Sequence, residues 1–311
     1  MNMKAIEIIK LNKIYNKNFL ALCNININVE IGDFFALLGP NGAGKSTIIG
    51  ILTSLIKKTS GKIFFFGYDF DYSINIIKKF VGFVPQEFNF NYFETILEII
   101  INQAGYYGIT KKKALNIAEY YLNKLDLWKY KNTISRNLSG GMRRKLMIIR
   151  ALIHNPKILI LDEPTAGIDI ELRYFIWNFL SDLNKSGVTI ILTTHYLEEA
   201  EFLCNKISII NKGEIVLNTL LEDLIFNFKK KTLICEVLEE IINLPISDRF
   251  KIYKIKEKVL EIILLKKSTF NDLFNFFNEK NINIINIKNK TSYLEELFIN
   301  TINKNNKGFY L

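Results

Sequence analysis

The sequence predicts an α/β fold built on a largely parallel sheet, and three observations carry that prediction. Short apolar runs alternate with helical periodicities between residues 139 and 210, the rhythm of strands joined by covering helices. A glycine-rich loop links an apolar run to a helical one near residue 40. Two further apolar runs, residues 157–161 and 188–194, end in side chains that carry chemistry, and strand ends of a parallel sheet share one edge. Around this centre the pattern adds an antiparallel β subdomain, a helical insert and a small C-terminal α+β domain.

The glycine-rich loop reads as a phosphate-binding loop, so a nucleotide is expected as ligand. Residues 39–47 read GPNGAGKST, so every position of the G-x-x-x-x-G-K-[ST] pattern is met by Gly39, Pro40, Asn41, Gly42, Ala43, Gly44, Lys45, Ser46 and Thr47. Glycines let the backbone curl until successive amides point at a triphosphate, and Lys45 adds a point charge for the β- and γ-oxygens. Ser46 puts a hydroxyl on Mg2+, and the positive end of the following helix faces the same anion. The flanks agree: Phe34-Phe35-Ala36-Leu37-Leu38 reads as a buried strand and residues 46–55 as a helix.

Size and composition set the remaining bounds. The 311 residues suffice for one large α/β domain and a smaller appendage. Hydrophobic residues make up 49% and charged residues 23%, enough for a sizeable core. No stretch reaches the ~18 apolar residues of a membrane span, and Met1-Asn2-Met3-Lys4-Ala5-Ile6-Glu7 lacks the apolar region of a secretory signal. A cytoplasmic location is expected, with any membrane role arriving through a partner. The net charge of +10 raises nucleic acid as a ligand. The lysines are scattered, however, and the runs Lys111-Lys112-Lys113 and Lys229-Lys230-Lys231 fall at an expected helix start and linker, so a solvated face is read and no nucleic acid is expected. Anionic headgroups beside a membrane-bound partner suit the same surface. Cys23, Cys204 and Cys235 form no C-x-x-C pair and read as buried small hydrophobes in a reducing compartment.

Along the chain, residues 24–29 alternate apolar and asparagine, the mark of a half-exposed antiparallel strand. Residues 62–66 and 81–84 read as strands, the latter ending at Pro85-Gln86. Residues 92–127 turn helical, with a capping box at Thr95 and Glu98 and a second helix over residues 110–125; the helical subdomain is set at 92–137. Helices follow over residues 139–154, 169–183 and 196–204, interleaved with strands at 157–161, 188–194 and 206–210. The nucleotide-binding domain is placed at 1–226 and an accessory domain at 227–311. The latter reads as strands at 233–237, 251–255, 259–265 and 282–287, a helix capped by Ser268, and a last helix boxed by Ser292 and Glu295.

Ile158-Leu159-Ile160-Leu161-Asp162-Glu163 carries two acids to a strand end. Asp162 is placed to hold Mg2+, through water, and Glu163 to polarise an attacking water. Leu138-Ser139-Gly140-Gly141-Met142-Arg143-Arg144 puts a hydroxyl and bare amides ahead of a helix, a second anion site or a plain capping turn. With LSGGMRR, ILILDEPTAGID and TTH in this order, residues 3–224 resemble the nucleotide-binding subunits of ATP-binding cassette (ABC) transporters.

The resemblance implies a P-loop NTPase of ABC ATPase type that binds and hydrolyses ATP with Mg2+. It implies a head-to-tail homodimer in the ATP-bound state, in which Ser139, Gly140 and Gly141 of one copy close over the γ-phosphate held by Lys45 of the other. Tyr15 matches the aromatic that stacks on adenine, or is a strand-edge tyrosine. Gln86 matches the glutamine that touches Mg2+ or water and senses the membrane partner, and Asp169 the loop that reaches across the dimer. His195 matches the switch histidine that positions Glu163; His154 matches no motif and reads as structural. Met142 stands where many members carry glutamine. With Thr193-Thr194-His195-Tyr196-Leu197-Glu198-Glu199-Ala200-Glu201 and Ser292-Tyr293-Leu294-Glu295-Glu296-Leu297-Phe298, it resembles the branch that exports drugs, antibiotics or polysaccharides through an integral membrane permease. The protein is then peripheral on the cytoplasmic face of the membrane. The rival reading is a soluble ABC ATPase acting on nucleic acid or ribosomes.

Overall fold

The computed structural model describes residues 3–16, 18–227, 231–241, 244–265, 268–289, 294, 295 and 298. Contacts divide the chain into Met1–Leu221 and Glu222–Leu311, whereas the sequence reading divides it after residue 226. The first unit runs β1 (Lys4–Tyr15), β2 (Phe19–Glu30), β3 (Phe34–Leu38), α1 (Lys45–Leu52), β4 (Ser60–Phe65), β5 (Tyr68–Asp69), α2 (Ile74–Phe80) and β6 (Val81–Val84). It continues with α3 (Ile96–Tyr106), α4 (Lys111–Lys124), α5 (Gly140–Leu152), β7 (Ile158–Asp162), α6 (Ile170–Lys185), β8 (Thr189–Thr194), α7 (Leu197–Leu203), β9 (Lys206–Asn211) and β10 (Glu214–Leu220). Helix α8 (Leu221–Asn227) crosses the division.

Two sheets organise this unit. The antiparallel sheet has the order β2-β1-β4-β5, and the central one β10-β9-β3-β8-β7-β6. In the central sheet β9, β3, β8, β7 and β6 run parallel and β10 antiparallel. Every residue of β3 and β8 is buried, as a sheet covered on both faces requires. One face, with Phe35, Leu37, Ile158, Ile160 and Ile191, shares a core with Ile48, Ile49, Ile51 and Leu52 of α1 and with Ile6, Ile8, Leu22 and Ile27 of the antiparallel sheet. Each such side chain contributes roughly 1.5–3 kcal/mol on leaving water.

The helical insert begins as the capping box requires. Glu98 N–H donates to Thr95 Oγ1 at 3.3 Å, and Thr95 N–H donates to Glu98 Oε2 at 2.8 Å. Its base is closed by Ile96 N–H to Thr133 O at 3.2 Å and Ser135 N–H to Glu94 O at 2.9 Å. Strand β10 lay outside the sequence reading. Its hairpin turns through Lys212 (φ 48) and Gly213 (φ 80), the two left-handed residues that match strand twist. Cys204 and Cys235 are buried as anticipated, but Cys23 is partly exposed.

The second unit holds β11 (Lys231–Val237), β12 (Phe250–Lys256), β13 (Val259–Leu264), α9 (Phe270–Glu279) and β14 (Ile284–Asn289). Its sheet has the order β12-β13-β11-β14, antiparallel throughout, and packs Cys235, Phe250, Leu260 and Ile262 against Leu273 and Phe277. The cap of α9 is Thr269 rather than Ser268. Asp272 stands three residues after Thr269 and completes a box, with Thr269 N–H to Asp272 Oδ2 at 2.8 Å and Asp272 N–H to Thr269 Oγ1 at 3.2 Å; Ser268 instead donates to Arg249 O at 3.0 Å. Strand β14 starts later than read from the sequence because Asn281 (φ 55) and Ile282 close α9, Ile282 N–H reaching Phe277 O at 2.9 Å. Ser292, of the proposed last capping box, lies outside the described residues, as do Lys229 and Lys230; Lys231 opens β11.

His154 follows α5 and has a structural setting. Its ring stacks on Tyr107 at 3.8 Å and 1°, Nε2 lies 3.1 Å from Val81 O, and Nδ1 is buried without a partner. Burial lowers its pKa from 6.5 to about 4. The folded chain therefore refuses a proton that the unfolded chain accepts, so stability is full above pH 6.5 and falls as pH drops toward 4. His154→Phe keeps the stack and removes the titration. Between pH 7 and 5 it is expected to lose less stability than the parent by roughly 1–2 kcal/mol, read from urea midpoints. Equal losses in the two proteins would refute the assignment.

Candidate active site

Parallel register decides where the candidate residues meet. Leu38 pairs with Thr194, and Asp162 with Thr193, so the residues after β3, β7 and β8 emerge at one edge. Gly39 and the loop follow β3, Glu163 follows β7 and His195 follows β8. Val84 pairs with Leu161, which brings Gln86 to the same edge.

The loop is shaped by close approach. A Cβ on Gly39 would lie 2.4 Å from Ile210 O, and one on Gly44 (φ 115) would lie 2.8 Å from Leu22 Cδ2. Gly42 (φ 77) supplies a second left-handed residue. Pro40, Asn41, Gly42, Ser46 and Thr47 are partly or fully open to solvent, while Ala43 and Lys45 are buried. Lys45 Nζ donates to Gly39 O at 2.7 Å and Pro40 O at 3.1 Å. Burial pushes its pKa down, against Glu163 and Asp162, which raise it. A buried ammonium above open amides at a helix start is an anion cradle.

Opposite stand the carboxylates. Asp162 is hydrogen-bonded by the Thr193 hydroxyl; burial raises its pKa, and Thr193, Lys45 and Arg144 each pull it back. Glu163 has left-handed backbone (φ 47), and its N–H is held by Thr193 O at 3.0 Å. Its Oε2 accepts from Gln86 Nε2 at 3.1 Å and lies 3.3 Å from His195 Nδ1. The Glu163 side chain is 14% exposed and that of His195 45%, so the pair faces outward from a shielded base. This arrangement can accept a proton beside a bound anion.

Other candidates lie elsewhere. Ser139 caps α5, taking Met142 N–H at 3.2 Å, and Asp169 caps α6, taking Leu172 N–H at 2.8 Å. Among the described residues no hydrogen bond joins Ser139, Gly140, Gly141 or Asp169 to the loop of Lys45. A Cβ on Gly140 would meet nothing, whereas one on Gly141 would lie 2.3 Å from Leu172 Cδ2. Tyr15, at the end of β1, is partly exposed with Lys13 Nζ 4.6 Å from its ring centre. Sequence reading missed Thr193, Arg144 and Glu199. Glu199 is buried, and its Oε1 accepts from Thr165 Oγ1 at 2.8 Å and Trp177 Nε1 at 2.9 Å, tying the turn after Glu163 to α6 and α7. Helical spacing offered one signal: Arg144 stands three and four residues before buried Met147 and Ile148.

A phosphate cradle facing a supported carboxylate defines a nucleoside-triphosphate hydrolase. Residues 22–166 match the family model described as ABC transporter. The chain is 36% identical over 239 residues to Nod factor export ATP-binding protein I of Rhizobium etli, covering 77% of this chain and 74% of that protein. It is 39% identical over 208 residues to linearmycin resistance ATP-binding protein LnrL of Bacillus subtilis, covering 66% and 65%. Among solved structures, a dimeric post-hydrolysis ATP-binding cassette bound to ADP and Pi superposes with a TM-score of 0.64 at 28% identity, over 70% of this chain and 98% of that one. The chain belongs to the ABC transporter family: it is an ATP-binding subunit and an ATP hydrolase.

The glycine contacts yield a paired test on the nucleotide-free protein. Gly39→Ala is expected to lower the melting temperature and weaken ATP binding, because its Cβ meets backbone. Gly140→Ala, at an open helical position, is expected to keep or raise the melting temperature, by up to roughly 1 kcal/mol of stability. Equal effects would contradict this packing.

Proposed function

We propose that this chain powers export of a substrate through a separate membrane permease, binding and hydrolysing Mg-ATP in a head-to-tail homodimer on the cytoplasmic face. The observation that carries the hydrolytic part is the convergence of Gln86 and His195 on Glu163 Oε2. The export part rests on the relatives, one named for Nod factor export and one for linearmycin resistance.

In this reading Lys45 and the loop amides hold the β- and γ-phosphates, and Tyr15 offers its open face to adenine. Glu163 accepts a proton as water oxygen attacks the γ-phosphorus and the bond to the β-phosphate oxygen breaks, leaving ADP. His195 and Gln86 fix the carboxylate for that transfer. Mg2+ would be held by Ser46, Asp162 and Gln86 together with water. When bound, the ion would supply positive charge to offset that of the phosphates. Ser139, Gly140, Gly141 and Asp169 serve the copy opposite. As a cap, Ser139 uses one lone pair and retains its proton for a phosphate oxygen.

The permease finds a groove near the helical insert. Leu55, Lys78, Lys79, Asn89, Tyr106 and Arg150 line it, and no carboxylate does. Among the described residues no helix is long and apolar enough to cross a membrane.

Two substitutions test the chemistry. Glu163→Gln is expected to bind ATP normally, to lose about a hundredfold or more in turnover, and to accumulate a closed dimer on size-exclusion chromatography. Turnover at the parental rate would remove Glu163 as the base. Lys45→Ala is expected to weaken ATP binding by about tenfold or more in equilibrium titration, and unchanged affinity would overturn the cradle.

A further inference from the structure

Helix α5 reaches the Gln86 loop through two arginines, and among the described residues no carboxylate forms an ion pair with either. Arg144 is 4% exposed. Its Nη1 donates to Pro85 O at 3.1 Å and its Nη2 to Gln86 O at 3.0 Å, while the guanidinium lies 5.2 Å from the ring centre of Phe88. Two turns on, Arg150 Nη1 donates to Asn89 O at 3.0 Å, and Nη2 bonds the Asn89 side chain. Both ends of the segment from Pro85 to Asn89 are thus fastened to one helix. That helix is capped by Ser139, and Asn89 and Arg150 line the groove beside the helical insert.

A buried guanidinium is a costly group to place, and a planar fork suits two adjacent carbonyls where an ammonium does not. The Gln86 whose carbonyl Arg144 holds also sends its side chain to Glu163, so the guanidinium stands one residue removed from the hydrolytic carboxylate. We propose that Arg144 is a positioning residue for ATP hydrolysis, holding the Gln86 backbone so that the amide side chain meets Glu163. Arg150 fixes the distal end of the same segment through Asn89. The proposal rests on the reading of Glu163 and Gln86 as members of the hydrolytic site.

Steady-state ATPase kinetics of the full chain test it without a permease. Arg144→Met is expected to lower kcat about tenfold while KM for ATP stays within about threefold. Arg144→Lys, able to reach one carbonyl at a time, is expected to fall between the parent and the methionine variant. In a Gln86→Ala background Arg144→Met is expected to cost less than about twofold further, because the group it positions is gone. If the methionine variant does not fold, the lysine variant carries the test with an expected loss of about threefold. Unchanged kcat in the folded variants, or full additivity with Gln86→Ala, overturns the proposal. A Gln86→Ala variant with parental kcat would instead overturn the site reading beneath it.

Discussion

The parallel pairing of β7 with β8 governs most of what this molecule can do. Hydrogen-bonded register fixes Asp162 opposite Thr193, and a slip of one residue would turn every side chain to the other face. From that one alignment come the Thr193 bond to Asp162, the Thr193 carbonyl under the Glu163 amide, and the emergence of His195 within reach of Glu163. The alignment is held by burial. Leu159 and Leu161 on one face and Ile158 and Ile160 on the other are fully enclosed, as a strand covered on both sides requires.

The centre of the fold was legible in the sequence because its signals are local and strong. Buried strands read as apolar runs, and the loop of residues 39–47 declares itself through glycine spacing. The Thr95 box was readable because both partners lie within one turn. What was missed depends on distance or on competition. The hairpin of Lys212 and Gly213 lacks the usual Asn-Gly, although both residues are left-handed. At α9 two hydroxyls competed for the cap, and the spacing to Asp272 chose Thr269. The candidate site was legible as a set of residue types. Its connections were not, since Gln86 meets Glu163 across seventy-seven positions and Arg144 meets Pro85 across fifty-nine.

Cations and acids lie close together at this edge. Lys45 is buried, and burial penalises its charge; Glu163 and Asp162 restore part of it. Arg144 adds a second enclosed cation. At the same edge Glu163 has left-handed backbone (φ 47), an uncommon conformation for a residue other than glycine.

The contact between Gly141 and Leu172 has a consequence for how this sequence can vary. A side chain at 141 would occupy the space of Leu172 Cδ2, so the free end of that leucine must turn aside before anything larger fits there. Leu172 also donates its amide to Asp169, which binds the start of α6 to the start of α5 through a single leucine. The two helix starts therefore meet at this leucine, and a larger residue at 141 asks for a new rotamer at 172 rather than for a new backbone.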